Sequence, residues 1–269
     1  MFSKINHVAM VTQNYALLGK FYESAFGMYP SKKGGNRAIT VGDGYVGLNI
    51  NPRKAGRTAG LDHFGIQVED VETAFDRMRS KYPQARWVQR PATRPFAGIT
   101  ANDPDGNVFD ISQKDMKNRS AAYVENSGEQ QQRYISHVAV RTMRPDEMAR
   151  FYTDVFEFAE ENHESGDPNH YLTDGKVTLI IIPWLIENYV GQSILSTGMD
   201  HVGFTVESMD KFKQDLEEMI DTNPAMNTIP VGRGKEGGNR LELLRKQCPI
   251  GEHFLSDPDY TMIAVREQK

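Results

Sequence analysis

Four of the seven histidines stand in one repeated setting: Ile5-Asn6-His7-Val8-Ala9, Leu61-Asp62-His63-Phe64-Gly65, Ile135-Ser136-His137-Val138-Ala139 and Met199-Asp200-His201-Val202-Gly203. An imidazole nitrogen serves as metal ligand, proton carrier or hydrogen-bond partner. A single histidine in a strand pattern is usually structural. Four in equivalent places ask for a shared explanation, and a ligand cavity supplies one. Two residues after each histidine come Ala9, Gly65, Ala139 and Gly203, which strand alternation puts on the histidine's own face. Side chains that small leave room beside the ring. His163, His170 and His253 match no such place and read as surface or loop residues, although His253 precedes a turn and is near enough to line a second cup.

Other polar residues are candidates for substrate contacts. Arg90 and Arg94 flank Pro91 and Pro95, and a guanidinium there is suited to a forked grip on an anionic substrate; the plainer reading is a pair of solvated rim arginines. Asn49 and Asn51 fall on the expected last strand of the first unit, where either would orient a ligand. The run Lys32 to Arg37 lacks phosphate-loop spacing and reads as a turn. Cys248 is the only cysteine, so an intrachain disulfide and a multi-thiolate metal cluster are both excluded.

Each histidine strand is followed by a helical pattern. In the first and third copies the helix carries Phe21-Tyr22 with Phe26, and Phe151-Tyr152 with Phe156, which stripes one helical face. The second and fourth pass through Val68-Glu69 and Val206-Glu207 into helices around Phe75–Met78 and Phe212–Met219. They end in similar tails, Asp103-Pro104-Asp105-Gly106 and Asp257-Pro258-Asp259-Tyr260, suited to tight turns. The chain therefore reads as four units of one strand, one helix and further strands. A polar stretch, 116–133, separates a first domain, 1–115, from a second, 134–269. On the first strands the apolar residues, such as Phe64, Ile66 and Val68, should lie under the helix and the histidines on the opposite, concave side.

Composition narrows the class. The chain has 269 residues, 39% hydrophobic and 25% charged, with a formal charge of -5. That balance suits a globular protein and gives no general attraction to nucleic acid. The longest apolar stretch, Val177 to Ile186, contains Pro183 and is too short to span a bilayer. The N-terminus has no apolar signal core, so a cytoplasmic setting without membrane contact is expected.

The strand histidines, the Phe-Tyr helices and the Asp-Pro-Asp-Gly-Asn turn together resemble the vicinal oxygen chelate superfamily, which includes glyoxalases, extradiol dioxygenases and bleomycin-binding proteins. The resemblance implies an α+β fold of four βαβββ units, paired into two curved-sheet domains. It implies a metal held by His7 and His63, from the first strands, and by Asp110, from the last strand of unit two. The family more often has glutamate at that last place. Two imidazoles and a carboxylate leave positions open for substrate and dioxygen, as in many non-haem iron(II) sites. Iron(II) is the preferred metal, with manganese, zinc and nickel as alternatives. In the second domain His137 and His201 fill the same places but Ala264 replaces the carboxylate, so the metal site there is read as lost.

Three functions are compatible with that resemblance: a dioxygenase on a phenolic or enolic compound, a glyoxalase-like lyase or isomerase, and a non-catalytic binding protein. Thr100 stands where extradiol enzymes usually carry a tyrosine, which counts against the usual route of catechol cleavage. No Asp or Glu occurs between Asp43 and Asp62, so unit one offers no fourth carboxylate for a glyoxalase base, and this weighs more. The preferred reading is a dioxygenase, with a small-molecule substrate and dioxygen as partners and self-association left open.

Overall fold

A computed structural model describes residues 2–31, 38–91, 97–114, 116, 131–192, 196–248 and 250–269. Arg94 and most of the expected interdomain stretch lie outside the described residues. The first unit is β1 (Ser3–Thr12), α1 (Tyr15–Phe26), β2 (Tyr29–Pro30), β3 (Ile39–Gly42) and β4 (Gly47–Pro52). The second is β5 (Gly60–Val68), α2 (Val71–Lys81), β6 (Trp87–Gln89), β7 (Ile99–Asn102) and β8 (Val108–Gln113). The third repeats the order as β9 (Tyr134–Thr142), α3 (Pro145–Phe156), β10 (Ala159–Glu160), β11 (His170–Thr173) and β12 (Thr178–Pro183), followed by α4 (Ile186–Gln192). The fourth is β13 (Gly198–Val206), α5 (Met209–Thr222), β14 (Ile229–Pro230), an inserted α6 (Gly234–Gln247), β15 (His253–Ser256) and β16 (Met262–Glu267).

Strands β1–β8 form one eight-stranded sheet and β9–β16 a second with the same strand order. In each, the two histidine strands pair antiparallel at the centre, and each pairs parallel with the last strand of its own unit. The helices start and stop where local chemistry directs. Asp70 accepts from the backbone N–H of Glu72 and Thr73 to begin α2, and Asn14 caps α1, which ends at Gly27 with φ 64°. A left-handed residue at that place suits glycine.

The Phe-Tyr stripes of α1 and α3 are buried together with the convex faces of both sheets in one continuous apolar cluster. Phe26 of α1 stacks on Phe204 of β13 at 3.8 Å between ring centroids. The two sheets thus share a core instead of owning one each. That leaves the opposite, concave faces to carry the histidines.

Candidate metal centre

One row of directly opposed residues crosses the first sheet: Gly47 on β4, His7 on β1, Gly65 on β5, Asp110 on β8 and Thr100 on β7. A neighbouring row runs Asn49, Ala9, His63. Residues opposed in this way project from the same face, so His7, His63, Asp110 and Asn49 all belong to the concave side. His63 Nε2 lies 3.2 Å and His7 Nε2 3.8 Å from Asp110 Oδ2. The three ligand atoms all fall within 4.8 Å of one another. Gly65, between His7 and Asp110 in the row, makes this approach possible: a Cβ there would overlap the His7 ring.

The rings are oriented from behind. His63 Nδ1 is 2.8 Å from Asp62 Oδ2, and His7 Nδ1 is 2.7 Å from Asn6 Oδ1. An oxygen at Nδ1 fixes the direction of the ring and turns Nε2 toward the cup. Residues adjacent in a strand ordinarily point to opposite faces. Here the pairing register slips between Ile5 and His7, and again between Ala9 and Met10, where β5 supplies Asp62 as the extra residue. A bulge sets neighbouring residues toward one side, so Asn6 and Asp62 reach the rings that follow them. The same slips occur in the second sheet, where Ser136 and Asp200 meet Nδ1 of His137 and His201. This polar-residue-then-histidine step is visible in all four repeats, yet strict alternation conceals its use.

Asp110 is buried, with 3% of its surface exposed. Burial alone would raise its carboxyl, but the hydrogen bond and charge of His63, the charge of His7 and the Thr100 hydroxyl together hold it well below the usual carboxylate range. Thr100 Oγ1 donates to Oδ1 at 2.6 Å. Arg90 Nη1 lies 2.9 Å from Oδ1, 3.0 Å from Oδ2 and 2.8 Å from Thr100 Oγ1. The expectation of a solvated rim arginine is therefore corrected, because this guanidinium is bound to the carboxylate. Asn49 is partly exposed on the concave face. Two imidazole nitrogens and a carboxylate oxygen converge on one point. The donor set therefore fits a divalent metal.

In the second sheet the matching row is Thr178, His137, Gly203, Ala264 and Phe254, so Ala264 occupies the place of Asp110. The concave face is covered by α6, whose Leu244 packs with Phe254, Met262 and Ala264. At the end of that helix Cys248 brings its sulfur 3.3 Å from His201 Nε2. The expectation of two histidines without a third donor is thereby corrected. A sole cysteine carries no motif, and the chain folds back 47 residues to place it beside His201.

The chain matches the family model described as the Glyoxalase/Bleomycin resistance protein/Dioxygenase superfamily over residues 4–111 and again over 134–243. No curated protein matches it in sequence. Among solved structures it is similar to the Mn(II)-bound glyoxalase from Novosphingobium aromaticivorans, with a TM-score of 0.65 at 15% identity over 98% of this chain and 81% of that one. The 2,3-dioxygenase LapB from Pseudomonas sp. KL28 gives 0.64 at 14% identity, covering 98% and 92%. A mutant of 4-hydroxymandelate synthase from Streptomyces coelicolor gives 0.60 at 14%, covering 99% and 92%. With two family matches spanning both halves and the same strand order in each sheet, the chain belongs to the Glyoxalase/Bleomycin resistance protein/Dioxygenase superfamily.

Proposed function

We propose that this chain is a divalent-metal-dependent dioxygenase acting on a small phenolic or enolic substrate that presents two neighbouring oxygens. His7, His63 and Asp110 would hold the metal, with iron(II) preferred. The observation that carries this reading is the convergence of three donors whose far sides are already engaged by Asn6, Asp62 and Thr100. When bound, the metal supplies Lewis acidity toward the substrate oxygens and a coordination place for dioxygen. Asn6 and Asp62 hold the imidazoles turned, with Nε2 toward the metal position. Thr100 and Arg90 fix the carboxylate, and Arg90 acts as a positioning residue for Asp110. Asn49, on the adjoining row, faces the substrate side of the cup.

Oxygen chemistry is preferred over proton transfer because the concave residues of β4 are Gly47, Asn49 and Asn51, none of which can serve as a carboxylate base. The test is oxygen uptake by iron(II)-loaded protein across catechols, hydroquinones and enols. Uptake with at least one, abolished by Asp110→Ala, is the expected outcome. No uptake across the panel, together with solvent-proton exchange into a ketone under anaerobic manganese or nickel, would assign lyase or isomerase chemistry instead.

A further inference from the structure

The second sheet was expected to have lost its ligand set, yet it brings His137, His201 and Cys248 together on its concave side. We propose that these three residues form a second metal site, suited to zinc, that pins α6 across the concave face of the second sheet.

All three side chains are buried, with residue exposures of 1%, 0% and 0%. The two Nε2 atoms are 3.2 Å apart, and Cys248 Sγ is 3.3 Å from His201 Nε2. Tetrahedral zinc with ordinary Zn–N and Zn–S bonds sets its donors roughly 3.3 Å apart for two nitrogens and roughly 3.5 Å apart for nitrogen and sulfur. The observed spacings are close to both. His201 Nδ1 is 2.6 Å from Asp200 Oδ2, the carboxylate–histidine pairing that orients zinc-binding imidazoles. Asp200 is itself held by Arg141, whose Nε lies 2.5 Å from Oδ1. With Nδ1 directed at Asp200, His201 turns its Nε2 toward a second Nε2 and a sulfur. One proton can relieve one of those contacts; a cation relieves all of them.

The approach of the sulfur is built into the fold. Arg141 Nη1 also donates to Gln247 Oε1 at 3.0 Å, and Asn169 Nδ2 donates to the Gln247 carbonyl at 2.5 Å. The Cys248 N–H closes the last turn of α6 on the Leu244 carbonyl at 2.7 Å. The helix end is therefore clamped on the residue before the thiol. Gly203 repeats the role of Gly65, since a Cβ there would overlap the His137 ring.

Donor chemistry separates this site from the first. A thiolate with two imidazoles favours zinc or another thiophilic ion, whereas the carboxylate set of the first sheet also suits iron and manganese. Ile180, Tyr171 and Ile250 pack around Cys248, so the site is walled by apolar groups and its role is structural. A nucleophilic thiol would need solvent access, which complete burial denies it.

The test uses the full-length Asp110→Ala variant, which silences the first site so that the two proposals fail separately. Titrated with zinc alone, it should retain one equivalent, and X-ray absorption should show a single sulfur scatterer at about 2.3 Å. Cobalt(II) in place of zinc should give a thiolate-to-metal charge-transfer band, which the added Cys248→Ser change removes. Removing zinc should speed hydrogen exchange across 234–247. Failure to retain zinc, or a coordination shell without sulfur, would overturn the site. Retained zinc with unchanged exchange in α6 would overturn the pinning role. Neither readout requires the cysteine variant to fold.

Discussion

Around the first site, side chains act through the atoms behind the ligands as much as through the ligands themselves. Asp62 holds Nδ1 of His63 and is paired in turn with Arg57, so the direction of the ring is fixed. Replacing such a partner typically weakens metal binding about 10- to 100-fold, and Asp62→Ala should do the same for iron(II) or manganese, measured by competition with a chelating dye. An unaltered affinity would show that the ring needs no such support. Gly65 serves a different purpose. The Gly65→Ala methyl would collide with the His7 imidazole, so this change should abolish first-site metal while the fold, followed by circular dichroism, stays intact. Both predictions concern an affinity that can be read in the absence of any substrate.

Helices and strands carry these side chains because their apolar stripes are committed elsewhere. Phe204 lies on β13, one face of which bears His201 and Gly203 and the other the shared core. Its ring stacks on Phe26 and also on Tyr22 of α1. Truncating a buried phenylalanine commonly costs about 3–5 kcal/mol. Phe204→Ala should fall in that range by urea unfolding, with metal affinity lost only as far as the fold is lost. A cost below about 1 kcal/mol would mean that the two repeats are not mechanically joined through this stack.

Across the whole molecule the two halves are tied by a symmetric exchange of hydrogen bonds. Tyr22 of the first unit donates to Asp257 at 2.9 Å, and Tyr152 of the third donates to Asp103 at 3.1 Å. Asp43 accepts from the Ile135 backbone N–H at 2.8 Å, and Asp174 from that of Ile5 at 2.7 Å. Burial pushes the carboxyl groups of Asp103 and Asp257 up to about 6, against the hydrogen bonds that favour their charged forms. A carboxyl raised in the folded state binds more protons there than in the unfolded chain. Its contribution therefore falls as pH rises from about 4 to about 6, by up to about 3 kcal/mol. Asp103→Asn should remove that slope at one of the two positions, so the variant gains on the wild type as pH is raised across this interval. Denaturant unfolding at pH 4, 5, 6 and 7 checks the sign, and parallel curves would refute it. No helix among the described residues is long and apolar enough to cross a membrane.

By itself the amino-acid order determined the four-fold repeat, the helical stripes and the strands bearing His7, His63, His137 and His201. Periodicity and turn chemistry are local, and copies in register reinforce one another. The family pattern pointed to Asp110, and the sheet sets it opposite Gly65, one place from His7 in the row. Tertiary structure alone decided which distant groups complete each cup. Arg90 reaches Asp110 from 20 residues away, and Cys248 reaches His201 because an inserted helix crosses the sheet and ends there. It also decided that Asn6, Asp62, Ser136 and Asp200 turn toward the rings beside them. One extra residue in a ladder reverses the side to which a neighbour points, and such a slip exists only once two strands have paired.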